Sequence, residues 1–199
     1  TENALRNLYK IDIKKNVFKT GNTVIDALQM ISKNKHKIPF KINVNENNKL
    51  ILATVHRREN WGANLESIVL GLKKLLEDKK DIILVFPMHK NLTVKKIIEK
   101  HLRNHKKAIL CDPLDYESLV SVMKQAYLVL TDSGGLQEEA PSLGKPVLVL
   151  RETTERPEAI KAGTVKVVGT QKEIIIKEVE NLMNNKTEYD SMSFAHNPY

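Results

Sequence analysis

The sequence holds one cysteine among 199 residues, so no internal disulfide can staple it, which fits a reducing cytoplasmic location. Cys111 sits in the apolar run "AILCD", where a thiol packs as a small hydrophobe. Aromatic residues make up 5% of the chain, too few to interleave stacking rings with basic side chains along a nucleic acid. The longest apolar runs, "IILVF" (82–86) and "VLVL" (147–150), are strand-sized and far short of a bilayer span. No charged-then-apolar leader opens the chain, which starts at Thr1 rather than Met. Repeats and low-complexity tracts are absent as well.

A net charge of +8 and a pI of about 9.4 raise the question of a polyanionic partner. The lysines, however, fall in scattered pairs (14–15, 73–74, 79–80, 95–96, 106–107), as on a solvated surface. Residues 131–160 carry six acids against three bases, so the stretch richest in motifs is locally acidic. The expectation is therefore no nucleic-acid partner and no membrane partner. Hydrophobic residues at 41% support a packed core.

From residue 50 onward, short β-branched runs alternate with stretches of helical period. Strands are expected at 50–55, 81–87, 107–111, 127–132, 146–150 and 164–169. Helices are expected at 64–78, 92–105, 116–126 and 172–185, with two short ones after Gly135 and at Pro157. The first short helix should be curtailed by Pro141 and Gly144. In helix 64–78, Leu65, Ile68, Val69, Leu72 and Leu76 share one face. The strands are apolar throughout rather than alternating, as when helices cover both faces of a sheet. The fold class is thus α/β, a doubly wound, mostly parallel, Rossmann-like sheet. Residues 1–40 fit this pattern less cleanly. They suggest a helix end, a short strand "VFKT", a "GN" turn, a helix "TVIDALQMIS" and a hinge "KNKHKIP". The C-terminal "AHNPY" stops on turn residues, and both ends look cut.

In such folds ligands bind beyond the carboxyl ends of the strands. Three polar clusters stand there: "HRRENWG" (56–62), "DSGGLQEEA" (132–140) and "RETTERPE" (151–158). Ser133, Gly134 and Gly135 open a helix, where bare backbone and unpaired N–H groups suit a phosphate. An ordinary strand-to-helix turn would look the same. His56, Arg57 and Arg58 could bind an oxyanion, or Arg57 and Arg58 could form a surface ion pair with Glu59. Arg156 has the same alternative, pairing with Glu152 or Glu155. His101 and His105 stand four apart on a helix, but no further ligand cluster accompanies them, so no metal site is expected. His89 is the other histidine at a strand end.

"TGNTVIDAL" (20–28), "HRREN" (56–60), "TDSGGLQEEAPSLGKPVLVLRETTERPEA" (131–159), "AGTVKVVGT" (162–170) and "AHNPY" (195–199) together resemble the non-hydrolysing UDP-N-acetylglucosamine 2-epimerases. The likeness runs essentially end to end, in order and at matching spacing. It implies the C-terminal half of a two-domain fold of the glycosyltransferase-B type. Residues 1–40 would be the tail of the N-terminal domain and the hinge, and 41–199 the UDP-binding domain.

The implied reaction interconverts UDP-N-acetylglucosamine and UDP-N-acetylmannosamine by elimination and re-addition of UDP, without metal or redox cofactor, toward bacterial surface polysaccharides. Carried over by position, Ser133, Gly134 and Gly135 would hold the UDP phosphates, and Glu139 the ribose hydroxyls. Leu114 and Leu119 would contact uracil, although family members often carry an aromatic near Leu119. Arg156 would line the nucleotide–sugar site, and His56 would face the sugar-phosphate with a part in chemistry. His89 would contact a second, activating UDP-N-acetylglucosamine. The family further suggests a homodimer. The carboxylates thought to move the C2 proton belong to the N-terminal domain, so this chain alone is expected to be inactive. A hydrolysing relative and a non-catalytic UDP-sugar-binding module are the alternatives. Glu138 has no role that the sequence supplies.

Overall fold

In the computed structural model, which describes residues 1–42 and 47–199, six parallel strands form one sheet. They are β1 (Lys49–Thr54), β2 (Ile82–Pro87), β3 (Ala108–Cys111), β4 (Leu128–Thr131), β5 (Val147–Val149) and β6 (Val165–Val167), in the order β3-β2-β1-β4-β5-β6. The order reverses between β1 and β4, and a crevice opens at such a switch point. Their register, with Ile51 opposite Leu128 and Thr54 opposite Thr131, brings the ends of the two strands level.

Alternation along each strand feeds two cores. Ile51 and Ala53 face one side with Phe86, Leu130 and Leu148. There α3 (Ala63–Asp78), α4 (Leu92–Leu102) and α8 (Lys172–Asn184) cover the sheet. The face read from the sequence of α3 is buried, and Leu75 joins it. Leu50 and Leu52 face the other side with Val129 and Val147, covered by α2 (Thr23–Ser32), α5 (Tyr116–Gln125) and α6 (Leu136–Ser142). Truncating one fully buried leucine such as Leu72 would cost about 2–5 kcal/mol, transfer and cavity terms together.

The N-terminal part begins with α1 (Glu2–Lys10), which buries no residue, and α2, whose Leu28 is fully buried in the second core. The expected strand "VFKT" does not form. Residues 17–20 are irregular, Phe18 is 80% exposed, and the sheet supplies no neighbouring strand for them to pair with. In the segment 33–39, Ser118 Oγ donates to the Lys37 carbonyl at 3.0 Å, and His36 Nδ1 lies 3.2 Å from Glu117.

Gly62 precedes α3 at φ 81°, a conformation that favours glycine. Gly163 ends α7 (Pro157–Ala162) in the left-handed region, where its N–H satisfies the orphan Ala159 and Ile160 carbonyls. Pro141 lies inside α6 rather than ending it, and the helix stops one residue later. One helix was missed altogether: α9 (Lys186–Ser193), started by the Asn185 side chain accepting from the Glu188 N–H. Asn-x-x-Glu at 185–188 is the local signal that announces it. Among the described residues, no helix is long and apolar enough to cross a membrane.

Candidate functional site

The site is built on the ends of β1, β4 and β5. Asp132, the first residue past β4, is fully buried. Its carboxylate accepts from the backbone N–H of His56 (3.1 Å) and of Arg57 (2.9 Å), and from Asn60 Nδ2 (3.0 Å). Asn60 Nδ2 also donates to the Leu150 carbonyl at 3.0 Å, so one amide and one carboxylate lock loop 56–62 onto three strand ends. His56 Nδ1 lies 3.1 Å from Asp132 Oδ1. A buried carboxylate is tolerable here because donors surround it.

Ser133, Gly134 and Gly135 follow at once. The Ser133 N–H donates to Thr131 Oγ1 at 2.9 Å, and Thr131 Oγ1 shares a 2.7 Å hydrogen bond with Thr54 Oγ1. A Cβ at Gly134 would lie 2.9 Å from Glu155 Oε1, 3.5 Å from an Arg156 guanidinium nitrogen and 3.6 Å from one of Arg57. Two guanidinium groups therefore crowd a bare stretch of backbone. In this structure the Glu155 carboxylate accepts from Arg57 Nη2 at 2.6 Å and from Arg151, while Arg156 is held by Glu138. Arg151 also reaches Glu59 at 2.8 Å. The surface pairings anticipated from adjacency differ from these: Arg57 binds Glu155 rather than Glu59, and the Arg156 side chain pairs with Glu138 rather than with Glu152 or Glu155 carboxylates.

The two glutamates of α6 part company. The Glu138 carboxylate accepts from Arg156 Nε on one oxygen and from Asn22 Nδ2 on the other. It thereby ties "TGN" to "TTERPE", while its backbone carbonyl accepts from Asn197 near the C-terminus at 2.8 Å. Glu139, only 8% exposed, leaves Oε2 buried with no hydrogen-bond partner. Burial raises its pKa, opposed by the nearby Tyr116 hydroxyl and reinforced by Glu138. Tyr116 is in turn pushed up to about 12, by burial first and by Glu139 second. Its hydroxyl is also buried without a hydrogen-bond partner of good geometry, although it lies close enough to Glu139 for each group to shift the other's pKa. Unsatisfied polar atoms at that depth suit an incoming hydrogen-bonding ligand.

A cavity of about 210 Å³ is lined by His56, His89, Leu114 and Leu119, together with Thr54 and Met88. Four residues chosen from the sequence thus share one wall-to-wall space. The His89 ring packs at 52° against Trp61, with centroids 5.9 Å apart, and His89 Nδ1 accepts from the Asn91 N–H at 3.1 Å. Arg156 opens instead onto a cavity of about 420 Å³ shared with Gly21, Asn22, Glu138 and Tyr199. A wider space of about 570 Å³ over edge strand β3 shares Met88 with the first cavity and is lined by none of the site residues chosen from the sequence.

His101 contacts Glu66 at 3.0 Å, and His105 Nδ1 accepts from the Lys107 N–H. Among the described residues, no group of three or more His, Cys, Asp or Glu could hold a metal ion. Sequence reading passed over Asp132, Asn60, Asn22 and Tyr116. The first carried a signal, an aspartate fixed between strand and glycines; the others are recognisable only by what they touch.

The arrangement has known counterparts. The family model for UDP-N-acetylglucosamine 2-epimerase matches residues 1–199. A curated UDP-N-acetylglucosamine 2-epimerase of Escherichia coli is 46% identical over 208 aligned positions, which cover 100% of this chain and 55% of that protein. The crystal structure of the Neisseria meningitidis UDP-GlcNAc 2-epimerase bound to UDP-GlcNAc superposes with a TM-score of 0.90 at 40% identity, covering 100% of this chain and 56% of that one. WaaG, a glycosyltransferase of lipopolysaccharide biosynthesis, shares the fold at 15% identity, with a TM-score of 0.58, 88% of this chain covered and 45% of that one. This chain therefore spans about half the length of the relatives it matches and corresponds to half of a glycosyltransferase-B-type fold. The chain belongs to the UDP-N-acetylglucosamine 2-epimerase family.

Proposed function

We infer that this chain is the UDP-binding half of an enzyme that interconverts UDP-N-acetylglucosamine and UDP-N-acetylmannosamine. In this reading, the full-length protein breaks the C1–O bond to UDP and removes the C2 proton. Re-addition of UDP to the resulting 2-acetamidoglucal, with a proton returned to C2 from the other face, completes the epimerisation. Ser133, Gly134 and Gly135 receive the diphosphate. Arg57 and Arg156 stabilise the charge that develops on departing UDP, with Glu155 giving way. Leu114 and Leu119 contact uracil, and Glu139 accepts from the ribose hydroxyls. His56 faces the sugar-phosphate, and His89 contacts a second nucleotide sugar. Protons at C2 are moved by carboxylates from the N-terminal domain, so the chain alone binds UDP and does not turn over.

The observation that carries this reading is Glu139 Oε2, a buried acceptor with no partner, one helical turn from the glycines. A bare phosphate site would have no use for it, whereas a ribose diol supplies two donors. Calorimetric titration with UDP tests the assignment in the full-length protein. Glu139→Gln should weaken binding about tenfold, the worth of a charge-assisted hydrogen bond. Unchanged UDP affinity with a lowered melting temperature would make Glu139 purely structural. Release of free N-acetylmannosamine by the full-length enzyme would instead favour the hydrolysing reaction.

A further inference from the structure

We propose that Asp132 is a positioning residue that fixes His56 as the Nδ1–H tautomer, while His89, on the same cavity, is held in the opposite one. Every group facing the Asp132 carboxylate is a donor: the His56 and Arg57 amides and Asn60 Nδ2. His56 Nδ1 lies 3.1 Å from Oδ1, an ion-pair approach rather than an aligned hydrogen bond, and the carboxylate's negative charge at that distance repels a lone pair and favours a proton on that nitrogen. Asp132 is fully buried and the His56 side chain is 46% exposed. The ring therefore keeps Nδ1 inward and turns Nε2 outward, where the neutral imidazole offers a lone pair. His89 is wired the other way. Its Nδ1 accepts from the Asn91 N–H at 3.1 Å, which leaves Nε2 as the protonated nitrogen.

The cavity is thus flanked by one imidazole that accepts and one that donates through Nε2. A carboxylate behind a histidine also stabilises the imidazolium that forms when Nε2 takes a proton, and holds the ring in place while it does so. The tautomer assignment stands on this geometry alone. Its consequence for turnover rests on the epimerase reading above.

Long-range ¹H–¹⁵N correlation spectra of the histidine-labelled full-length protein, recorded on the alkaline side of the imidazole titrations, read the assignment directly. Expected are a protonated Nδ1 and a bare Nε2 for His56, and the reverse for His89. A protonated Nε2 on neutral His56 overturns the proposal whatever the enzyme's activity. In the second arm, Asp132→Asn should lower kcat at least about tenfold while KM stays within about threefold, with the His56 signature lost. In a His56→Ala background the same substitution should leave the residual kcat within about twofold. An equal loss in both backgrounds would mean that Asp132 acts only through the fold, and would overturn its role as a positioning residue.

Discussion

Arg156 donates through Nε to the Glu138 carboxylate, and this pair separates the duties of two adjacent glutamates. Glu138 spends both oxygens on protein donors, Arg156 and Asn22, whereas Glu139 leaves its buried Oε2 without a protein donor. A glutamine at 138 keeps one acceptor oxygen but turns an NH2 group toward the other donor and removes the charge that pairs with Arg156. Glu138→Gln should therefore lower stability by about 1–3 kcal/mol in denaturant unfolding. UDP binding should weaken as a secondary effect, through a displaced Arg156.

Glu139→Gln should do the opposite. Burial disfavours the charged carboxyl and raises its pKa above the ordinary 4.5. Such a group contributes its full stability below that ordinary value and loses it as pH rises through the raised folded value. The glutamine variant escapes this loss. Its stability relative to the parent should grow from about pH 4.5 upward, seen as diverging urea midpoints across a pH series. UDP affinity of the parent should rise over the same range, because only the ionised carboxylate offers both oxygens to a diol.

Gly134→Ala separates backbone access from fold. The added methyl meets the flexible end of Glu155 and two guanidinium groups rather than main chain. The melting temperature should shift by no more than the equivalent of about 1 kcal/mol, while UDP affinity drops about tenfold. Gly163→Ala should show the reverse pattern. Its φ of +80° strains any side chain, costing about 1–2 kcal/mol with binding intact.

Cys111 should be a poor nucleophile. Burial, helped by Asp112, pushes its thiol up to about 11. At pH 8 about one molecule in a thousand carries the thiolate, so alkylation of the native protein should lag far behind that of a free thiol. Mass spectrometry after timed iodoacetamide exposure checks this, and rapid labelling would contradict it.

Most of the fold was legible because its signals are local. Apolar runs of strand length, the one-sided leucines of α3 and proline at the start of α7 each act over a few residues. "VFKT" misled because β propensity names a candidate strand but supplies no neighbour for it. The helix α9 escaped because its polar sequence has little apolar period and only its cap announces it. At the site, strand-end position singled out His56 and His89, the family resemblance supplied Leu114 and Leu119, and the fold brought all four to one cavity.

Partnership lay outside the sequence's reach. Neighbours in the chain suggested Arg57 with Glu59, yet Arg57 binds Glu155, 98 residues away. Asn22 meets Glu138 across 116 residues, and Asp132 accepts the His56 amide across 76. Composition and periodicity determined an α/β chain with its chemistry at the strand ends, because burial and backbone geometry act over short stretches. Only the tertiary structure decided which glutamate is spent and which is free, since a hydrogen bond depends on where two atoms finish in space and the reversal between β1 and β4 sets those places.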